Sequence, residues 1–275
     1  MGNETILYYV SETSVSGGAR MLKPHFLQKI TLPSFVMQKE DMTLITVIIP
    51  PVYKGWKQET LLQLMREAAG KYEEHLADAQ IILHREVLLL LGRPDTLSAF
   101  SQVFRSITAR FLKEVFGRPH GRTQGAPSSV VLMFGELFFP EEQMRQFMEL
   151  MQPYFAWINR LLILCDTNEA EHFEEAVMYD AEELYYEYGL VSQIQCKKGS
   201  VLKRGTIECG HDPVLFMDFG YPGTLPYSAL RKGDVYLDIV SDEKKESLFR
   251  RKYIEISYLS PRKYLDTMVK SGYDN

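Results

Sequence analysis

The chain has 275 residues, 45% of them hydrophobic and 24% charged, so it is long and apolar enough to bury a sizeable core and to form two domains. A formal net charge of −5 argues against a broadly nucleic-acid-binding surface while leaving room for a local basic patch, and three cysteines do not make a disulfide framework. Apolar runs such as that at 87–91 fall far short of the roughly 18 residues of a membrane span. The first residues lack the basic-then-apolar pattern of a signal peptide, and position six is not the Ser or Thr of a myristoylation site. These features predict a cytoplasmic protein with reduced thiols and with neither nucleic acid nor membrane as partner.

Residues 1–42 are the least legible: 6–10 reads as a strand and 14–18, rich in Ser and Gly, as a turn. Residues 44–49 are β-branched and stop at Pro50-Pro51, which predicts a strand. A helix is expected over 58–76, where Leu61, Leu62, Met65, Ala68, Ala69 and Tyr72 recur at helical spacing. Residues 81–91 read as extended, broken near His84-Arg85. Leu97, Phe100, Phe104, Ile107, Phe111 and Val115 form the apolar stripe of another helix, capped by Asp95 or Thr96 and stopped at Gly117.

Glycines, prolines and small polar residues then interrupt the pattern at 117–129. This break predicts an N-terminal α/β domain over 1–120, a linker over 121–128 and a second domain over 129–275. Arg118, His120 and Arg122 lie in the break without the Gly-Lys-Ser/Thr ending of a P-loop, so a solvated linker is expected there.

The second domain opens with apolar runs at 130–134 and 161–165. Between them Met144, Phe147, Met148 and Met151 share one helical face, and a second helix carries Phe173, Val177, Ala181 and Leu184 down to Gly189, placed as a C-terminal stop. This is strand, helix, strand, helix, strand. Further strands are expected at 214–218, 235–240 and 254–259, with helices over 242–252 and 261–269. The fold class that follows is α/β, with two α/β domains, the second a mostly parallel six-stranded sheet with helices on both faces.

That layout over 128–275 resembles the Rossmann-type dinucleotide-binding superfamily, whose strand order is 3-2-1-4-5-6. The resemblance also rests on Asp166, at the end of the second strand, where the superfamily places an acid for ribose hydroxyls. It implies a site at the switch point of the sheet, drawing on Gly135 and Glu136 after the first strand, Asp166 after the second, and Asp218 and Gly220 at the end of the fourth. The phosphate loop departs from the pattern. It keeps only Gly135, places Phe138 and Phe139 in the approach, and puts Glu136, Glu141 and Glu142 where phosphates would sit, although acids in a first turn also complement the helix dipole. No cofactor is therefore predicted, and NAD(P) is disfavoured.

Other constellations read as ordinary. Cys196, Cys209 and His211 lack the close ligand pairing of structural zinc, so no metal is expected. Cys165 reads as a buried strand thiol, with His172 on the following helix the nearest histidine in sequence. The basic runs Lys197-Lys198 with Lys203-Arg204, and Lys244-Lys245 through Lys252, read as solvated, the second because acids interleave it. Tyr185, Tyr186 and Tyr188 among glutamates divide between packing on the sheet and a partner surface. Function is expected to be non-catalytic binding or regulation, with an unknown small molecule or protein as partner and an oligomer allowed. The alternative is an enzyme using a nucleotide or NAD(P)-like cofactor at the carboxyl ends of the strands.

Overall fold

A computed structural model of the protein describes residues 4–11, 31–39, 42–50, 57–77, 79–91, 105–118, 121–122, 126–135, 140–166, 170–196, 212–221, 229–239, 243–252 and 256–273. They fall into two compact units, Met1–Val103 with Leu265–Asn275, and Phe104–Tyr264.

In the first unit, β1 (Glu4–Ser11) lies between two parallel partners, β3 (Met42–Ile49) and β4 (Gln80–Leu83). The strand β2 (Ser34–Lys39) adds an antiparallel edge to β3, giving the order β2-β3-β1-β4. All eight residues of β3 are buried, as its β-branched composition requires of a strand covered on both faces. Helix α1 (Gln58–Gly70) covers one face with Leu61, Met65, Ala68 and Ala69, packed in one cluster with Leu7, Tyr9, Ile45, Val47 and Ile49. A short helix α2 (Glu73–Leu76) follows.

The expected extended stretch at 81–91 is not one element. The chain leaves β4 at Leu83, and Arg85–Leu90 is a helix, α3. Nδ1 of buried His84 accepts the Glu86 N–H at 3.3 Å, satisfying one of the orphan donors of the first turn. The leucine run that follows is rich in helix formers, and so short an apolar run does not reveal its period.

The second unit begins with α4 (Arg105–Phe116), which stops at Gly117 in the left-handed conformation, φ 86°. A hairpin pairs the two-residue strands β5 (Gly117–Arg118) and β6 (Gly121–Arg122), the second at the start of the expected 121–128 linker. By compactness the units divide after Val103 and after Tyr264. Phe116 stacks on Tyr154 at 5.0 Å, Phe111 meets Tyr264 edge-on, and so α4 belongs to the second unit. The residues after Tyr264 belong to the first, where Asp266 accepts the Tyr8 hydroxyl at 2.7 Å.

Six parallel strands form the second sheet: β7 (Ser129–Gly135), β8 (Arg160–Asp166), β9 (Val191–Cys196), β10 (Val214–Phe219), β11 (Val235–Asp238) and β12 (Ser257–Leu259). Their order is β12-β11-β10-β7-β8-β9, which counted from β7 is 3-2-1-4-5-6, the Rossmann-like arrangement. The flanking helices are α5 (Pro140–Met151), extended by a 3-10 turn (Gln152–Trp157), α6 (Ala170–Tyr188) and α7 (Glu243–Lys252), and α8 (Pro261–Tyr273) starts in this unit and continues in the first from Leu265. Every residue of β7 and β10 is buried, as are Phe147, Leu162, Ile163 and Leu237; Phe104, on the stripe expected before Gly117, lies outside the described residues. Gly189 ends α6 at φ 67°, and the N–H groups of Gly189 and Leu190 satisfy the Tyr185 and Leu184 carbonyls. No helix among the described residues is long and apolar enough to cross a membrane.

Candidate functional site

In a sheet of this order the strands diverge between β7 and β10, and their carboxyl ends define the place where a ligand crevice can form. Gly135 ends β7 opposite Asp166 at the end of β8. Phe134 lies opposite Phe219 in β10, and the chain after β10 turns back so that Gly220 forms an antiparallel bridge to Phe134. Gly220 has φ 87°, which only glycine adopts without strain. Gly135, Asp166, Asp218 and Gly220 are thus brought to one edge of the sheet, whereas Glu136, Phe138 and Phe139 lie outside the described residues. Glu141 and Glu142 fall in the first turn of α5, behind Pro140 at its first position.

Side chains alternate along each strand, so the edge has two faces with different contents. On one, Phe134 stacks on Phe219 at 5.2 Å and meets Phe173 of α6 at 5.6 Å; all three rings are buried. Cys165, which shares their parity through its pairing with Phe134, is a buried thiol outside any disulfide, as expected of a strand cysteine flanked by apolar neighbours.

On the other face stands Asp218, 0% exposed. Its Oδ1 accepts the Gly220 N–H at 2.9 Å and the Tyr221 N–H at 2.8 Å. Its Oδ2 accepts the Tyr236 hydroxyl of β11 and the Lys245 ammonium of α7. A carboxylate in a fully apolar strand must be paired, and here four protein donors meet it. The Lys245 side chain is only 10% exposed, so the ion pair is buried with its carboxylate. This corrects the reading of Lys244-Lys245 through Lys252 as a wholly solvated run: Lys245 turns inward, while exposed Arg250 pairs with Glu246 at 2.6 Å one turn away.

One strand further on the aspartate–tyrosine pair repeats. Asp238, paired in register with Asp218 and equally buried, accepts the Tyr258 hydroxyl at 2.7 Å. Tyr236, Tyr258 and Phe249 of α7 form one aromatic cluster, with Phe249 4.3 Å from Tyr236 and 4.9 Å from Tyr258. Burial, and then the Asp218 carboxylate, push the Tyr236 phenol well above its ordinary range. Burial and Asp238 do the same to Tyr258. Both rings are therefore held as neutral donors to carboxylates.

Asp218 and Gly220 were legible in sequence as residues of this edge, but their partners were not. The available signal was an aspartate closing a buried apolar strand twice, at Asp218 and Asp238, which demands donors without naming them. Lys245 stands 27 residues from Asp218, on a helix whose Arg250 and Arg251 are exposed. Asp166 is half-buried at the end of β8, on the face that carries Leu162 and Leu164. It pairs in register with Gly135 at the strand ends, where a sheet of this order places a ribose-like group. Among the described residues no cluster of His, Cys, Asp or Glu is arranged to hold a metal ion. Cys209, His211 and the side chain of Cys196 lie outside those residues, as does the side chain of His172. Comparison with known family models, with characterised proteins and with solved structures gave no match.

Proposed function

We propose that the second unit is a non-catalytic binding or regulatory module of a cytoplasmic protein, built on a Rossmann-like scaffold whose dinucleotide position serves the fold. The observation that carries this reading is the Asp218 carboxylate, fully buried and occupied by the Gly220 and Tyr221 N–H groups, Tyr236 and Lys245. In a nucleotide site the loop after the fourth strand offers donors and acceptors to the ligand; here the Gly220 N–H and Asp218 are spent on each other.

The second reading, an enzyme using a nucleotide or NAD(P)-like cofactor, is favoured by one feature, half-buried Asp166 beside Gly135 at the strand ends. Melting curves separate the two. A ligand that binds only the folded state adds RT ln(1 + [L]/Kd), about 2.7 kcal/mol at a hundredfold excess over Kd. For NADH, NADPH and a panel of mononucleotides at millimolar concentration, the binding-module reading expects no saturable shift beyond that of inert salt at equal ionic strength. A saturable shift with any of them, abolished by Asp166→Ala, establishes the enzyme reading instead.

A further inference from the structure

Helix α6 has an outer face that ordinary solvation does not require. Its buried stripe, Phe173, Val177, Ala181 and Leu184, packs inward as the sequence pattern dictates. The opposite face should then carry lysine, glutamate and small polar residues. Instead Tyr179 and Tyr186, seven residues apart, are 74% and 82% exposed, with exposed Met178 and Tyr185 beside them. Exposed Glu182 and Glu183 stand between the rings, exposed Glu175 one turn before Tyr179, and the helix contains no lysine or arginine. Tyr185 meets Tyr186 edge-on at 5.7 Å, so the outermost ring has a neighbour that limits its orientations.

We infer that this face is a docking surface for a basic protein segment that presents arginines at regular spacing. The tyrosine faces attract cations through their ring quadrupoles, and the carboxylates between them attract the same charge. Arginine satisfies both at once, stacking its planar guanidinium on a ring while its N–H fork engages a carboxylate. Nucleic acid and anionic membrane are repelled by the same glutamates, and two copies of the face would oppose like charges. The rings also set a spacing. Seven helical residues rise about 10.5 Å, close to one turn of polyproline II, about 9.3 Å, in which every third side chain shares one face; a partner in that conformation with arginine at every third position places one guanidinium on each ring. This deepens the binding-module reading by naming a class of partner, and the two fail separately, because a nucleotide at the strand ends leaves this face unchanged.

The test uses the full chain and a fluorescein-labelled nine-residue peptide with arginine at every third position among glycine and serine, followed by anisotropy at low salt. Saturable binding is expected, with the lysine version of the peptide weaker by about fivefold or more. The double variant Tyr179→Ser, Tyr186→Ser should weaken binding by about tenfold, the loss of two ring contacts to a cation. Glu182→Gln with Glu183→Gln should weaken it as well, and Glu149→Gln, an exposed glutamate on α5, should leave it unchanged. All five positions are exposed, so the variants are expected to fold, and unchanged melting curves verify this. The inference is overturned by an absence of saturable binding, or by equal affinity for the lysine peptide with no effect of the tyrosine changes, which marks diffuse charge attraction. It is equally overturned if sedimentation shows a wild-type dimer that the tyrosine double variant abolishes, since a second copy then covers the face.

Discussion

Asp166 and Asp218 end neighbouring halves of the same sheet, two strands apart, and their surroundings have opposite character. Asp218 lies under α7, with no exposed surface and a full set of protein donors. Asp166 lies at the end of β8, only half-buried, on the other side of the switch point. The comparison teaches that a strand-end aspartate in this fold is not a ligand residue by position alone. What ties Asp218 to the fold is the cation that Lys245 delivers from the helix after the next strand, together with the Tyr236 hydroxyl; Asp238 beside it accepts the Tyr258 hydroxyl.

The sheet common to both sides gives the largest effects. Phe147→Ala and Leu162→Ala should each cost roughly 2–5 kcal/mol in urea unfolding, the range for emptying a buried position. Losses below about 0.5 kcal/mol at both, as for surface changes, would break the comparison at its base by removing the strand and helix that place both aspartates.

Alkaline unfolding sharpens the Asp218 side. Tyr236 and Tyr258 have raised phenol pKa values in the folded protein, so their contribution is fully present below the unfolded tyrosine value of about 10 and is lost as pH rises above it toward the folded values. Above that pH the unfolded chain has released protons that the folded chain retains, and each tyrosine lowers stability by about 1.4 kcal/mol per pH unit. Tyr236→Phe and Tyr258→Phe should each flatten the slope of the unfolding free energy against pH. An unchanged slope in both variants would mean that the rings titrate normally and are not buried donors.

The smallest expected effect is on the other side of the switch point. Asp166→Ala should change stability by less than about 1 kcal/mol, because its carboxylate is only half-buried. A loss as large as that of a core truncation would show Asp166 to be a fastener like Asp218 and erase the contrast.

How far the sequence carried the fold depends on the length and period of each segment. The run from β7 to β9 was legible because two wholly apolar strands bracket helices with unmistakable 3.6-residue stripes, and Gly189 marks a stop that the left-handed turn confirms. The helix at Arg85–Leu90 was not, because the leucines that follow His84 suit a buried strand equally well until the cap is seen. The edge strand β2 was missed for a related reason: Ser34–Lys39 is exposed at alternate and terminal positions and carries little apolar signal. At the strand ends, composition and order placed Gly135, Asp166, Asp218 and Gly220 together, but only tertiary structure pairs Asp218 with Lys245 across 27 residues.

The central claim, that Asp218 works for the fold, is tested most directly by a double-mutant cycle between Asp218 and Lys245 in equilibrium unfolding. Removing one member leaves the other charge buried without its partner, and Asp218→Asn or Lys245→Met alone is predicted to cost roughly 3–5 kcal/mol. The double variant should cost clearly less than the sum of the two, with an interaction energy of about 1–3 kcal/mol. Strict additivity, with Asp218→Asn costing under about 0.5 kcal/mol and abolishing a nucleotide-dependent rise in melting temperature, would contradict the account and return Asp218 to a ligand.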